Sequence, residues 1–277
     1  MVGSRGVFPL RDLGVLLRSL EEGCEALRSL PGRSGRVFYL DEGDIPCLLV
    51  GDLHGESGLL PRVEGLADRV GARRLVFLGD YVDRGSDGLG VLLWLCDRLL
   101  RRGDVVPLRG NHEDRLMNLH DGFARELMWR FGDDWVEVYA AVEGLYGAMP
   151  MACVLRGELV ALHGGACVPP LSLEELEGLE EEDPRFFQLL WNDPLDEDYV
   201  YRGGGTRAFD EEDLRLFLEG LGCRFLVRSH QRCRRGYKVF AERCLTVMTA
   251  TYGGVGPSCA FLYRRGLDRL EEGVLRV

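Results

Sequence analysis

Lysine occurs once in the sequence, at Lys238; the rest of its 34 basic residues are arginine. Acidic residues outnumber them at 45, giving a net charge of −11. That sign argues against a general nucleic-acid coat and a polybasic membrane binder, both of which need a cationic surface. Long apolar runs are missing too. The longest uncharged stretch, Cys244–Tyr263, is 20 residues, and GGVGPS interrupts it. It reads as two strands and a loop rather than a membrane span. The first residues, MVGSRGVFPLRDLG, hold no apolar signal core, so a cytoplasmic location is expected. None of the nine cysteines forms a C-x-x-C pair, which excludes a zinc ribbon. Most lie in apolar runs (CLLV, LWLC, ACVL, CAFL) and are expected as small buried hydrophobes. The alternative is a disulfide such as Cys223–Cys233. There is no internal repeat and no low-complexity linker.

What is present fits a soluble globular chain: 277 residues, 46% hydrophobic and 29% charged. A single domain over 1–277 is expected, long enough to bury a large core. Glycine is unusually frequent, 37 residues, so the backbone turns sharply or approaches something closely at many places. Leucines at helical spacing predict a helix over 9–30, ended by PGRSG. A hairpin-like stretch follows: VFYL, the turn DEGD, then IPCLLV. After it a rhythm sets in. CLLV leads into GDLHG and a helix over 58–70; LVFL leads into GDYVDRG and a helix over 86–102; VVPL leads into RGNHE and a helical region to about 147. MACVL and LVALHGG read as two strands around RGE. The acidic stretch 171–183 reads as a solvated helix, 210–220 as another, and the last 40 or so residues as short strands. The early βαβαβ order predicts an α/β fold, and the strand-rich carboxyl-terminal third predicts a mixed sheet system flanked by helices. Functional loops then gather beyond the carboxyl ends of strands.

Five such loops hold nearly every unusual residue: Gly51–Gly55, Gly79–Gly85, Arg109–Glu113, His163–Gly165 and Arg228–Gln231. The chain has five histidines, and four of them lie in these loops; His120 is the exception, on a presumed surface helix. Asp52, His54, Asp80, Asn111, His163 and His230 offer oxygen and imidazole donors with no thiolate. That set suits Mn²⁺, Fe, Zn²⁺ or Co²⁺ rather than Cu(I). Six side chains are too many for one catalytic metal with an open position. They fit two divalent ions about 3.5–4 Å apart with one bridging carboxylate.

GDLHG, GDYVDRG, RGNHE, LHGG and RSHQ, in this order, resemble the phosphoprotein phosphatase family of serine/threonine phosphatases, in a compact prokaryotic form. The likeness covers roughly 45–265 and includes WNDP, 191–194, followed by Arg202. It implies the calcineurin-like metallophosphoesterase fold, a β-sandwich flanked by helices with a binuclear metal site at strand ends. It implies Asp52, His54 and Asp80 on the first metal, and Asp80, Asn111, His163 and His230 on the second, with Mn²⁺ favoured. His112 would be the general acid, paired with Asp83. Arg84 and Arg202 would clamp the phosphate with Asn111 and His112, and Tyr252 would line the cleft. Two cations acidify a shared water, so hydroxide attacks phosphorus in line and an imidazolium protonates the departing alkoxide. Phosphorylated proteins are the implied partners of a monomeric enzyme, with no nucleic acid and no membrane.

The residues leave some choices open. Arg109 reads as structural, and Arg207 competes with Arg202 for the clamp. Arg224, Arg228, Arg232, Arg234 and Arg235 read as local electrostatics or as a site for an acidic partner. In place of the S-A-P-N-Y-C-G loop of eukaryotic members stands Thr249–Gly254. Two alternative readings remain: a dinucleoside polyphosphate hydrolase and an inert phosphate-sensing scaffold. The scaffold predicts a missing ligand or acid, and none is missing.

Overall fold

The computed structural model describes residues 12–277 except 253 and 255. Helix α1 (Leu13–Arg28) fulfils the first expectation, although residues 9–11 of the expected span lie outside the described residues. Asp12 caps it, its carboxylate accepting the Val15 N–H, and Leu16, Leu20 and Leu27 form its buried stripe. Then come β1 (Arg33–Ser34), β2 (Val37–Tyr39), β3 (Cys47–Val50), α2 (Leu60–Val70), β4 (Arg74–Phe77), α3 (Gly88–Arg102) and β5 (Val105–Pro107). Helices α4 (Arg115–Asp121), α5 (Phe123–Phe131) and α6 (Trp135–Ala148) lead to the hairpin β6 (Ala152–Leu155) and β7 (Leu159–Leu162). The chain continues through α7 (Leu173–Glu177), α8 (Pro184–Trp191), β8 (Asp193–Pro194), β9 (Ala208–Phe209) and α9 (Glu211–Leu221). It closes with β10 (Phe225–Arg228), β11 (Tyr237–Phe240), β12 (Cys244–Val247), β13 (Cys259–Tyr263) and β14 (Val274–Arg276).

Two mixed sheets result, as the element order predicts. One runs β14-β13-β3-β4-β5 and the other β1-β2-β6-β7-β10-β12-β11. Within the first, β3, β4 and β5 are parallel, with Val50 opposite Phe77 and Phe77 opposite Pro107. Within the second, β7, β10 and β12 are parallel, with Val227 opposite Ala161 and Leu245. The parallel strands read as unbroken apolar runs because both their faces are covered. One core joins α1, α3 and α6 to the five-stranded sheet and to Val227, Leu245 and Val247 of the other. A second core packs α8 and α9 through Phe186, Leu189 and Phe217 against Val160, Leu162 and Leu226. Each sheet thus sends three parallel carboxyl ends toward one shared edge.

Two expectations change. DEGD is not a hairpin turn. Asp41 and Asp44 cap each other around a 3₁₀ turn, Glu42–Asp44, which carries the chain from one sheet to the other. Accordingly β2 pairs with β6 and β3 pairs with β4 and β13. In the acidic stretch 171–183 only α7 is helical, five residues started by a Ser172–Glu175 capping box. Asp183 caps a separate helix, α8, in front of Pro184, and the two carboxyl-rich turns never merge. The cysteines are as expected: all nine are free and buried, and no Cys223–Cys233 disulfide forms. Burial pushes the thiols of Cys96, Cys223 and Cys233 up to about 12.

The packing of α1 against α3 depends on a missing side chain. A Cβ on Gly23 of α1 would stand 2.5 Å from Cys96 Sγ on α3. Gly23→Ala is therefore expected to lower stability by about 1–3 kcal/mol through overpacking. Cys96→Ala added to it should restore part of the loss. Thermal unfolding of the single and double variants checks this; a double variant no more stable than Gly23→Ala would break the link between the two positions.

Candidate metal centre and phosphate cleft

The shared edge is stitched across the sheets by backbone donors. Gly51 N–H donates to Thr249 Oγ1 at 2.9 Å, Asp52 N–H to Ser229 Oγ at 3.0 Å, and Ala250 N–H to the Asp52 carbonyl at 2.7 Å. These bonds join the loops after β3, β10 and β12; the Leu53 and His54 N–H groups donate to the Asp80 carbonyl and the Ser229 N–H to the His163 carbonyl, which adds the loops after β4 and β7. Glycines let them touch: a Cβ on Gly79, at φ +103°, would lie 2.5 Å from Gly110 Cα, and one on Gly110 would lie 2.4 Å from Asp80 N.

Asp80 is the centre of the arrangement. Its Oδ1 accepts the His112 N–H at 2.9 Å and lies 3.2 Å from His163 Nε2. Its Oδ2 lies 3.5 Å from His54 Nε2. The ligand atoms form two groups, His54 with Asp80 and His112, and Asp80 with His163 and His230, sharing Asp80. Asn111 joins the second group, its Oδ1 2.8 Å from both His163 Nε2 and His230 Nδ1. Asp52 sits beside the first, its Oδ2 3.5 Å from His54 Nε2 while Oδ1 accepts the His230 N–H at 3.1 Å. His54 Nδ1 donates to the Val82 carbonyl and His163 Nδ1 to the Leu78 carbonyl, which turns both Nε2 atoms inward.

These residues fit divalent cations. Asp52 Oδ2 and His230 Nε2 are fully buried with no hydrogen-bond partner, and His163 Nε2 lies only 3.2 Å from His230 Nδ1. Orphaned buried polar atoms are rare in folded proteins, and an oxygen–imidazole set of this kind suits Mn²⁺, Fe, Zn²⁺ or Co²⁺.

Beside the carboxylate cluster lies a dyad. His112 Nδ1 is 2.8 Å from Asp83 Oδ2. Asp83 is itself fixed, Oδ2 accepting from Asn118 Nδ2 and Oδ1 from the Phe123 N–H. Arg84 reaches across, Nη1 donating to His54 Nε2 and Nη2 to His112 Nε2, both at 2.9 Å. The Tyr252 ring is 5.5 Å from the His54 ring, and its hydroxyl is 3.3 Å from Arg84 Nη1. A cavity of about 620 Å³ opens here, lined by His54, Glu56, Arg84, Ser86 and Tyr252 among others. Arg202 donates through Nε to Asp193 Oδ2 at 3.0 Å. Its charge reaches His230, whose pKa is driven well down by burial, His163, Arg202 and Arg228. Arg207 is exposed and meets the site only through its backbone N–H, which donates to Asn192 Oδ1.

Comparison with known proteins decides the family. Residues 45–233 match the calcineurin-like phosphoesterase family. The chain is a calcineurin-like phosphoesterase. A serine/threonine-protein phosphatase 4 catalytic subunit of Kluyveromyces lactis is 30% identical over 217 residues, 75% of this chain and 70% of that one. Its counterpart in Saccharomyces cerevisiae is 28% identical over 87% of this chain and 83% of that one. Some other curated relatives are longer, the chain spanning about half their length. A solved serine/threonine phosphatase of Saccharomyces cerevisiae with similarity to human phosphatase PP5 superposes with a TM-score of 0.79 at 22% identity. The superposition covers 95% of this chain and 88% of that one.

In this phosphoesterase the centre is electrostatically tense. Burial disfavours charge on Asp52, but the His54 hydrogen bond and nearby imidazoles overcome it and bring the pKa down to about 2. Burial likewise opposes protonation of His163, yet Asp80 and Asp52 raise its pKa to about 9. The two buried carboxylates, Asp52 and Asp80, thus draw positive charge into the pocket. Strain concentrates in the same place. Among the described residues eight non-glycines have positive φ, and six of them are His54, Asp80, Asp83, Arg84, His230 and Tyr252.

The arginine cluster divides. Arg228 is wholly buried and donates to Asp193 Oδ1 at 2.7 Å, while Arg224 pairs with Glu158 at 3.4 Å; Arg232, Arg234 and Arg235 are exposed. Arg109 is structural, its Nε donating to the Glu113 carbonyl and its Nη1 to Glu181. His120 is exposed on α4.

Two residues escaped sequence reasoning. Asn118 bridges Asp83 and the hydroxyls of Tyr139 and Tyr146. Glu113, fully buried, accepts three backbone donors, from Gly110 at 2.7 Å, Asp80 at 2.8 Å and Tyr81 at 2.9 Å. Burial and Asp80 raise its pKa to about 7 against those donors. Its place at the end of RGNHE was the available signal, since an acid there is expensive to bury without a task.

Glu113→Gln turns an amide N–H toward backbone N–H groups, leaving at least one donor unpaired. That costs about 1–3 kcal/mol, or about 2–4 °C of melting temperature per kcal/mol for a chain near this size. Calorimetry of cation-free protein reads it. An unchanged melting temperature would show that Glu113 is not what holds the two loops together.

Proposed function

We propose that this phosphoesterase removes phosphate from phosphoserine and phosphothreonine in proteins, as the names of its relatives suggest. The observation that carries the reading is Asp80, whose two carboxylate oxygens face different imidazoles, His163 and His54, a few ångströms from the His112–Asp83 dyad. Asp52, His54 and Asp80 hold one divalent ion, and Asp80, Asn111, His163 and His230 the other, with Mn²⁺ the favoured ion. Bound there, the ions supply concentrated positive charge that lets water ionise near neutral pH.

The side chains divide the remaining work. Arg84 and Arg202 clamp the phosphate from two loops, and a guanidinium matches two of its oxygens at once. The phosphate draws Arg84 off His54 Nε2 and His112 Nε2, freeing both for their tasks. Asn111 and His112 orient the ester, and Tyr252 borders the cleft. A serine or threonine alkoxide is a poor leaving group. His112 gives it a proton from Nε2 while Asp83, on Nδ1, holds the ring and stabilises its charge. Asn118 and the Phe123 N–H keep Asp83 in place for this. The chain acts as one domain and one monomer, in the cytoplasm. Among the described residues no helix is long and apolar enough to cross a membrane.

Two outcomes follow for activity on phosphopeptides containing phosphoserine, phosphothreonine or phosphotyrosine. Chelation abolishes it, and Mn²⁺ restores it better than Mg²⁺, because imidazole ligands suit Mn²⁺ better. Full activity in excess chelator, with no metal detected in the protein, would refute the ligand assignment. Diadenosine tetraphosphate, assayed beside the peptides, should be the poorer substrate; the opposite order would reassign the enzyme.

His112→Asn lowers turnover of phosphoserine about 10²–10⁴-fold, the usual range for general acid catalysis. Bound metal stays near that of the parent. Turnover of p-nitrophenyl phosphate falls much less, because its phenolate leaves without a proton. Equal losses on both substrates would remove His112 from the role of acid.

A further inference from the structure

The loop after β10 leaves His230 and at once becomes cationic: Arg232, Arg234 and Arg235, with only the buried Cys233 between them. All three arginines are exposed. None of the three makes an ion pair among the described residues, although the chain carries a net charge of −11 and pairs Arg224, Arg215 and Arg265 elsewhere with carboxylates. A cationic cluster left unneutralised on an acidic protein is a place for an anion from outside.

Its position says which anion. The Arg232 guanidinium carbon lies 5.2 Å from the Tyr252 ring centre. The Arg84 guanidinium carbon lies 5.8 Å from the same ring centre. Tyr252 therefore carries two cations, one already assigned to the scissile phosphate and one with nothing to hold. Glu56, the one acid among the described residues lining the cleft, is engaged: its carboxylate accepts from Thr251 N–H, Thr251 Oγ1 and Tyr252 N–H. It fixes the ring rather than neutralising Arg232.

We propose that Arg232, supported by Arg234 and Arg235, forms a subsite for a second anionic group on the substrate. The enzyme then prefers phosphoserine or phosphothreonine flanked within about two residues by an acidic side chain or a second phosphorylated residue. In an extended peptide, side chains two residues apart lie on one face about 7 Å apart. The Arg84 and Arg232 guanidinium carbons, each within about 6 Å of one ring centre, lie at most about 11 Å apart, a span that such a pair of side chains can bridge. This inference rests on the protein-phosphatase reading of the site and adds the class of sequence it selects.

The test is a set of phosphoserine peptides of equal length, with Glu, a second phosphoserine, Ala or Lys placed one or two residues to either side. With the metal-loaded full chain, kcat/KM should be about 2–5-fold higher for the Glu and phosphoserine flanks than for Ala, and lower for Lys, as exposed charge pairs allow. The difference should shrink as ionic strength rises past about 0.1 M. Arg232→Glu, alone and with Arg234→Glu and Arg235→Glu, should reverse the order of the peptides. Its activity on p-nitrophenyl phosphate should stay as in the parent, which also shows that the variant folds. The Glu and phosphoserine arms tell which anion is preferred; preference for either supports the subsite. Equal kcat/KM across all flanks overturns it, as does an acidic preference that survives the triple variant. Cleavage of p-nitrophenyl phosphate with no cleavage of any phosphopeptide would instead overturn the protein-phosphatase reading beneath it.

Discussion

One buried carboxylate, Glu113, holds the site in the shape its chemistry needs. It gathers the N–H groups of Gly110, Asp80 and Tyr81 and so ties the loop after β5 to the loop after β4. Asp80 is then fixed through its backbone, while its side chain accepts the His112 N–H and faces His54 and His163. Its carbonyl accepts the N–H groups of Leu53 and His54, which adds the loop after β3. If Glu113 fails, three loops lose their common reference and Asp80 has no reason to sit between two imidazoles.

The cost of this arrangement is visible in the backbone. His54, Asp80, Asp83, Arg84 and His230 all adopt left-handed conformations that such residues rarely hold unless their surroundings force them. The surroundings here are two sheets whose parallel strands end together, stitched by Thr249, Ser229 and Asp52. The large cores beneath stabilise the fold enough for strain to be tolerated at the edge, where strained residues point their side chains inward with little freedom.

The five loops, the histidines they carry and the mixed α/β class were legible in the sequence because strand, glycine-bearing loop and helix recur with chemistry at each carboxyl end. The residues at 52, 54, 80, 111, 163 and 230 could be picked out as candidate ligands without coordinates, and the fold brings them together at one edge. What could not be read depends on distance in space. The turn DEGD looks local, yet its mutual Asp41–Asp44 caps send β2 and β3 into different sheets. Glu113 acts through backbone N–H groups more than 30 residues away, and Asn118 through tyrosines on another helix. Arg228, grouped by sequence with its neighbours 232, 234 and 235, turns inward to Asp193 because it ends a buried strand.

The cross-sheet hydrogen bonds have a consequence for how the molecule fails. Gly51 and Asp52 donate from one sheet to side chains rooted in the other, so their amide hydrogens exchange only when the sheets part. The centre cannot melt as a local unit: its most slowly exchanging amides and the global unfolding event share one opening. The same seam runs on to the cleft wall, where Glu56 accepts the Thr251 and Tyr252 N–H groups and Arg84 donates to the Tyr252 hydroxyl, so the wall that meets the substrate is anchored together with the centre behind it.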